Sequence, residues 1–193
     1  MNLGRNINVA TGNKDTNMRL VINLKLPKSI VREMDVYKKK YHPSGLSHSH
    51  AHITLVPPFV LRGGMSQLID DVKHRLQIIG RFSIQINGIS SFEDKVLFLK
   101  PTCPRELKKL HARLKGIVGA KYRRRTRYSY WKFSAYRPHV TVAQDSARYI
   151  RQYRKDLQTI HYKRKFIVTG IGLYVQRKDN RWILKKEFVF RKK

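Results

Sequence analysis

The sequence predicts an α/β (α+β) fold of two lobes built from a duplicated unit, and three observations lead there. Strand-like and helix-like segments alternate along the chain, their order restarts at Val96, and two short strands of one pattern, at 52 and 139, occupy matching places in the two halves. With the halves side by side, strand 20 matches 97, strand 52 matches 139 and strand 82 matches about 165, offsets of 77, 87 and 83 residues. These offsets suit one duplicated strand-helix-strand-helix-strand unit and are too irregular for a solenoid. Two such lobes facing each other create a cleft.

Residues 1–17 are polar, rich in Asn and Gly and without apolar periodicity, and are read as a flexible tail. The rest, 18–193, is read as a single bilobal domain with pseudo-repeats of about 18–95 and 96–190. Leu20, Ile22, Leu24 and Leu26 alternate as in a strand, and Ile30, Met34, Tyr37 and Tyr41 recur at helical spacing over 28–41. A His- and Ser-rich loop follows. A β-branched strand over 52–56 ends at Pro57 and Pro58, and Leu68, Val72, Leu76 and Ile79 mark a second helix closed by Gly80. Residues 82–90 read as strand, 96–100 as strand again, and Leu107, Leu110, Leu114 and Ile117 as a helix ending near Gly119. A basic aromatic segment over 121–137 leads into a strand over 139–143, a helix over about 146–158, and strands near 164–175 and 181–190.

With 193 residues and 41% hydrophobic content the chain has enough apolar material for such a core, which excludes simple disorder. Its 42 Lys and Arg against 12 Asp and Glu give a formal charge of +30, so a polyanion is the expected partner. The single cysteine, Cys103, excludes an intrachain disulfide scaffold and fits a reducing compartment. No apolar run is long enough to span a membrane, and the N-terminus lacks the pattern of a signal peptide. The basic residues are spread along the chain, with no amphipathic terminal helix to lie on a lipid surface. A cytoplasmic protein with no membrane role and no obligate protein partner is expected.

The matched strands are His52-Ile53-Thr54-Leu55 and His139-Val140-Thr141-Val142. Alternate side chains of a strand point to opposite faces, so each motif can bury its aliphatic pair and present an imidazole and a hydroxyl together. One such motif alone is a common structural histidine. Two at matching places are harder to obtain from packing, which asks for the aliphatic positions and not for both polar ones. Paired imidazoles suit in-line displacement at phosphorus, one taking a proton from the attacking oxygen and the other delivering one to the departing oxygen. Threonine hydroxyls can hold the non-bridging oxygens between them, and no metal or other cofactor is required.

These two HxT motifs, 87 residues apart, resemble the two signatures of the 2H phosphoesterase superfamily, and most closely its 2′-5′ RNA ligase-like branch with the RNA 2′,3′-cyclic phosphodiesterases. Met18-Arg19-Leu20 followed by a strand and Leu26-Pro27 resembles the start of such proteins, and Pro138-His139-Val140-Thr141 resembles their second motif. The resemblance implies antiparallel sheets facing across a central cleft with helices outside, and metal-independent hydrolysis of cyclic phosphodiesters at RNA ends, with 2′-5′ ligation as a related activity. It implies His52, Thr54, His139 and Thr141 as the catalytic set. Sequence order does not decide the proton roles; His139 is taken as base and His52 as acid.

Between Lys121 and Arg137 lie seven basic residues, six aromatics and no acid. This mix favours single-stranded or 3′-end RNA, with cations along phosphates and rings under bases. Arg123, Arg124, Arg125, Arg127, Lys132, Tyr136 and Arg137 are the candidate RNA-binding residues. His48, His50 and His52 form an H-x-H-x-H run, but the lack of an acid between Asp35 and Asp70 argues against a metal site. His42, His74, His111 and His161 do not recur in the matched half and carry no assigned chemistry. The competing functions are a non-catalytic RNA-binding protein and a phosphodiesterase for small cyclic nucleotides.

Overall fold

The computed structural model describes residues 18–123, 136–159 and 161–192. Its first strand, β1 (Arg19–Leu24), is followed by helix α1 (Lys28–Tyr41), a short helix α2 (Pro43–His48), strand β2 (Ile53–Val60), helix α3 (Met65–Leu76) and strand β3 (Phe82–Phe92). The second half runs through β4 (Val96–Pro101), helix α4 (Arg105–Ile117) with a π-helical turn over Val118–Tyr122, β5 (Val140–Gln144), helix α5 (Ala147–Gln158), β6 (Lys163–Val168), β7 (Gly170–Gln176) and β8 (Trp182–Val189). These strands make two four-stranded antiparallel sheets, β2-β1-β7-β8 and β5-β4-β3-β6.

The strands of one sequence repeat do not stay in one sheet. β3 belongs to the first half of the chain and pairs with β4 in the second sheet, while β7 returns to flank β1 and β8 adds outside β7. The cause is local: Glu93 and Asp94 both take φ of +48°, closing a tight hairpin of the kind whose twist matches the flanking strands. Asp94 holds that unusual backbone in place by accepting from Ser91 Oγ at 3.1 Å and from Arg154 of α5 at 2.7 Å. Gly88, at φ +76°, sits at the register shift between Ile86 and Ile89 and lets β3 bend there.

Two further differences from the sequence reading have clear causes. β2 runs on through Pro57 and Pro58 to Val60, because it is an edge strand and the prolines fall where its pairing with β1 shifts register between Val56 and Phe59. The loop after α1 contains α2, whose first residue Pro43 has the φ a helix start requires. Among the described residues no helix is long and apolar enough to cross a membrane.

Each helix that follows a first strand braces the opposite lobe. α1 packs against β5, with Ile30, Met34 and Tyr41 buried, and α4 packs against β2, with Leu107, Leu110 and Leu114 buried. Ile53, Leu55, Val140 and Val142, the aliphatic positions of the two motifs, are at most 1% exposed and join one continuous core. Fully burying such a side chain contributes about 1.5–3 kcal/mol, so the core fixes both motif strands from behind.

Candidate active site

β2 and β5 are the equivalent edge strands of the two sheets, and His52 and His139 each immediately precede one of them. Both rings are latched alike. His52 Nδ1 lies 2.8 Å from the carbonyl of His50, and His139 Nδ1 lies 2.9 Å from the carbonyl of Arg137. A carbonyl oxygen only accepts, so each Nδ1 is the donor, and the lone pair of the neutral ring sits at Nε2.

Burial pushes His52 down to about 4, against the raising effect of its bond to the His50 carbonyl. The charges of Lys38 and His139 push it the same way, and Asp35 opposes them. A charge on His139 is thus near enough to disfavour a charge on His52. His139 is also lowered by burial, with the Arg137 carbonyl opposing. Phe92 and Phe98 enclose its ring edge-on, at centroid distances of 5.1 and 5.6 Å.

The segment carrying His52 is held by α1. Asp35 accepts from the Ala51 backbone N–H at 2.9 Å and pairs with His50 Nδ1 at 2.6 Å. Lys38, 4% exposed, donates to the Ser49 carbonyl at 2.5 Å, and burial lowers its pKa against the attraction of Asp35. β2 is held from its other side. Tyr136 donates its hydroxyl to the Thr54 carbonyl at 3.0 Å, His111 of α4 donates Nδ1 to the Leu55 carbonyl at 2.7 Å, and the two rings stack at 4.0 Å.

Of the residues singled out from sequence, Thr54 and Thr141 are half-buried in register with Asn23 and Phe98 on the neighbouring strands. Arg123 bridges to Leu61 beside β2, and Arg137 is exposed while its carbonyl holds His139. Arg124, Arg125, Arg127 and Lys132 lie outside the described residues. His50 of the H-x-H-x-H run is engaged by Asp35, and among the described residues no three potential metal ligands gather.

Sequence reasoning missed Asp35, Lys38 and His111. Lys38 left a signal, because it interrupts the buried stripe Ile30, Met34, Tyr41 at helical spacing, where a lysine needs an internal acceptor. His111 left none, since its partner is a main-chain carbonyl 56 residues away.

A pair of antiparallel sheets, each with an HxT strand at its equivalent edge, has the architecture of the 2H phosphoesterases. The family model of the 2'-5' RNA ligase superfamily matches residues 26–180, and the chain belongs to that superfamily. Among solved structures, E. coli LigT complexed with phosphate superposes with a TM-score of 0.61 at 15% identity, covering 91% of this chain and 98% of that one. TT0787 of Thermus thermophilus superposes with a TM-score of 0.63 at 17% identity, covering 91% and 100%. At these identities the likeness is one of fold. No curated protein matches the sequence.

Proposed function

We propose that the protein is an RNA-end phosphoesterase that opens terminal 2′,3′-cyclic phosphates without a metal, using His52 and His139 as a general acid-base pair and Thr54 and Thr141 to hold the phosphate. The observation that carries this reading is the identical Nδ1 latch on both rings, which puts the lone pair of each neutral imidazole at Nε2, where a proton can be taken up or released. A neutral imidazole removes a proton from water, the water oxygen bonds to phosphorus, one ribose P–O bond breaks, and the imidazolium protonates the departing ribose oxygen. Threonine hydroxyls donate to the non-bridging oxygens. The stronger depression of His52 favours it as the base and His139 as the acid, the reverse of the order taken from sequence. The charge of +30 favours an oligonucleotide over a mononucleotide, since only the longer substrate engages remote cations. Ligation through a 2′-5′ bond uses the same groups with a 5′-hydroxyl in place of water: its oxygen bonds to phosphorus, the P–O3′ bond breaks and the 3′-oxygen takes up the proton.

The test is turnover of a cyclic-phosphate-ended oligonucleotide by His52→Ala and His139→Ala. Each is expected to lose about 10²–10⁴-fold with RNA binding nearly intact and no response to EDTA. Unchanged turnover in both variants rules out the two histidines as the acid-base pair, whereas absent turnover in the parent protein with tight RNA binding leaves a non-catalytic RNA-binding protein as the reading. Equal turnover of cyclic mononucleotides and oligonucleotides assigns the site to small cyclic nucleotides.

A further inference from the structure

Beside the paired histidines the first sheet holds a polar group whose hydrogen-bonding capacity is unused. Asn23 of β1 is in register with Thr54 on one side and Gly172 on the other. Directly opposed residues of an antiparallel pair point to one face, so Asn23 shares the face of Thr54 while Ile22 and Leu24 enter the core. Asn23 is 4% exposed, and its Oδ1 is buried with no hydrogen-bond partner among the described residues. A buried acceptor left unpaired is costly, and in a native protein it asks for an explanation.

The neighbouring glycine shapes the sheet surface beside it. A Cβ at Gly172 would fall 2.6 Å from Tyr174 Cε2 and 2.9 Å from Leu184 Cδ1, so the missing side chain lets the Tyr174 ring lean over this part of the sheet. Glu187, opposite Gly172 in the same row, is paired with Lys25. In the second lobe the residue in register with Thr141 is Phe98. The position next to the motif threonine therefore carries an amide in one lobe and an aromatic ring in the other.

Phosphate oxygens only accept, so they cannot satisfy another acceptor; the nucleotide group that can is a hydroxyl or a base N–H. Cross-strand neighbours have Cβ atoms about 4.5–5.5 Å apart, so a phosphate held at Thr54 brings its own ribose within reach of Asn23. In a 2′,3′-cyclic phosphate both vicinal oxygens are esterified and carry no proton. Opening the ring frees one of them as a hydroxyl.

Building on the phosphoesterase reading, we propose that Asn23 is a further substrate-binding residue, whose Oδ1 accepts a hydrogen bond from the ribose hydroxyl next to the phosphate once the ring has opened. It thereby binds the ring-opened nucleotide more than the cyclic one, and distinguishes a ribose end from a deoxyribose end.

The experiment is calorimetric binding of a ribonucleoside 3′-monophosphate against its 2′-deoxy counterpart, and of a 2′-monophosphate against its 3′-deoxy counterpart. The proteins are the parent chain, Asn23→Leu and, as a second variant, Asn23→Ala. The parent is expected to prefer the hydroxylated ligand about fivefold in at least one pair, and both variants to bind the members of each pair equally. Asn23→Leu, which removes the unpaired oxygen, is expected to melt no lower than the parent. No preference in the parent, or a preference that survives in a folded variant, overturns the proposal and leaves Asn23 holding a water or a structural role. Binding needs no turnover, so the two readings fail separately: dead histidine variants without hydroxyl preference sink only the Asn23 role. Histidine variants that keep turnover sink the catalytic reading.

Discussion

His52 and His139 are held by the same device, a bond from Nδ1 to the carbonyl two residues back, at 2.8 and 2.9 Å, yet their neighbours differ in kind. His52 lies near a buried lysine, and its leading segment is clamped by a carboxylate. His139 lies edge-on against two phenylalanines that stack on each other at 4.2 Å. Next to the threonines the contrast repeats, with Asn23 in one lobe and Phe98 in the other. Duplication sets where the rings stand, and the unduplicated neighbours set how tightly each holds a proton. A symmetric pair of rings with equal proton affinities has no preferred direction of proton transfer; under the proposed chemistry a charged neighbour on one side and an apolar box on the other supply one.

The contrast is sharpest at Lys38 and Asp35, which push His52 in opposite directions. Lys38→Met keeps the buried stem and removes the charge, so His52 rises and the acid limb of the kcat/KM profile moves to higher pH. Asp35→Asn removes the opposing charge and moves that limb to lower pH. Asp35→Asn also loosens the segment ahead of His52, and a displacement there is expected to lower kcat/KM about tenfold or more at the optimum. For the proposed reaction the acid limb of the parent's kcat/KM is expected at about 4, and the basic limb, set by His139, below its ordinary value of about 6.5. The profile belongs to the coupled pair. Limbs that shift the same way in both variants, read from pH-rate curves, break the comparison.

A smaller effect is expected on the apolar side. Phe92→Ala opens the box around His139, so burial depresses the ring less and the basic limb moves up by a fraction of a pH unit. Loss of the stack on Phe98 costs about 1 kcal/mol of stability, which chemical denaturation reads directly. The acid limb, which reports His52, is expected to stay in place.

The two motifs were legible because a strand's period of two forces aliphatic and polar positions apart, and the same alternation at 52–55 and 139–142 survives any detail of packing. α1 and α4 were legible for the same reason at a period of 3.6. The exchange of β3 between sheets was hidden, since it depends on φ of +48° at Glu93 and Asp94, residues without the Asn-Gly signal of such turns. The continuation of β2 through Pro57 and Pro58 was hidden as well, because whether proline ends a strand depends on edge position and register. Asn23 left no mark, since an amide among Leu20, Ile22 and Leu24 acquires meaning only when Thr54 is seen beside it.

The smallest effect follows from the protonation equilibria alone. Folding holds His52 near 4 and lowers His139, whereas in the unfolded chain both titrate at about 6.5. Below that pH the unfolded chain takes up protons the folded one refuses, so this contribution is fully present above about 6.5 and is lost as pH falls toward 4. One such proton gives a slope of up to about 1.4 kcal/mol per pH unit. His42 and His111 are lowered by burial too and add slope of the same sign, so only a difference between proteins isolates one ring. Denaturation midpoints for the parent, His52→Gln and His139→Gln at pH 7, 6 and 5 are expected to converge on acidification, most for His52→Gln. Parallel lines for parent and His52→Gln show that the ring carries no depressed pKa, and the asymmetry between the two sites then rests on packing alone.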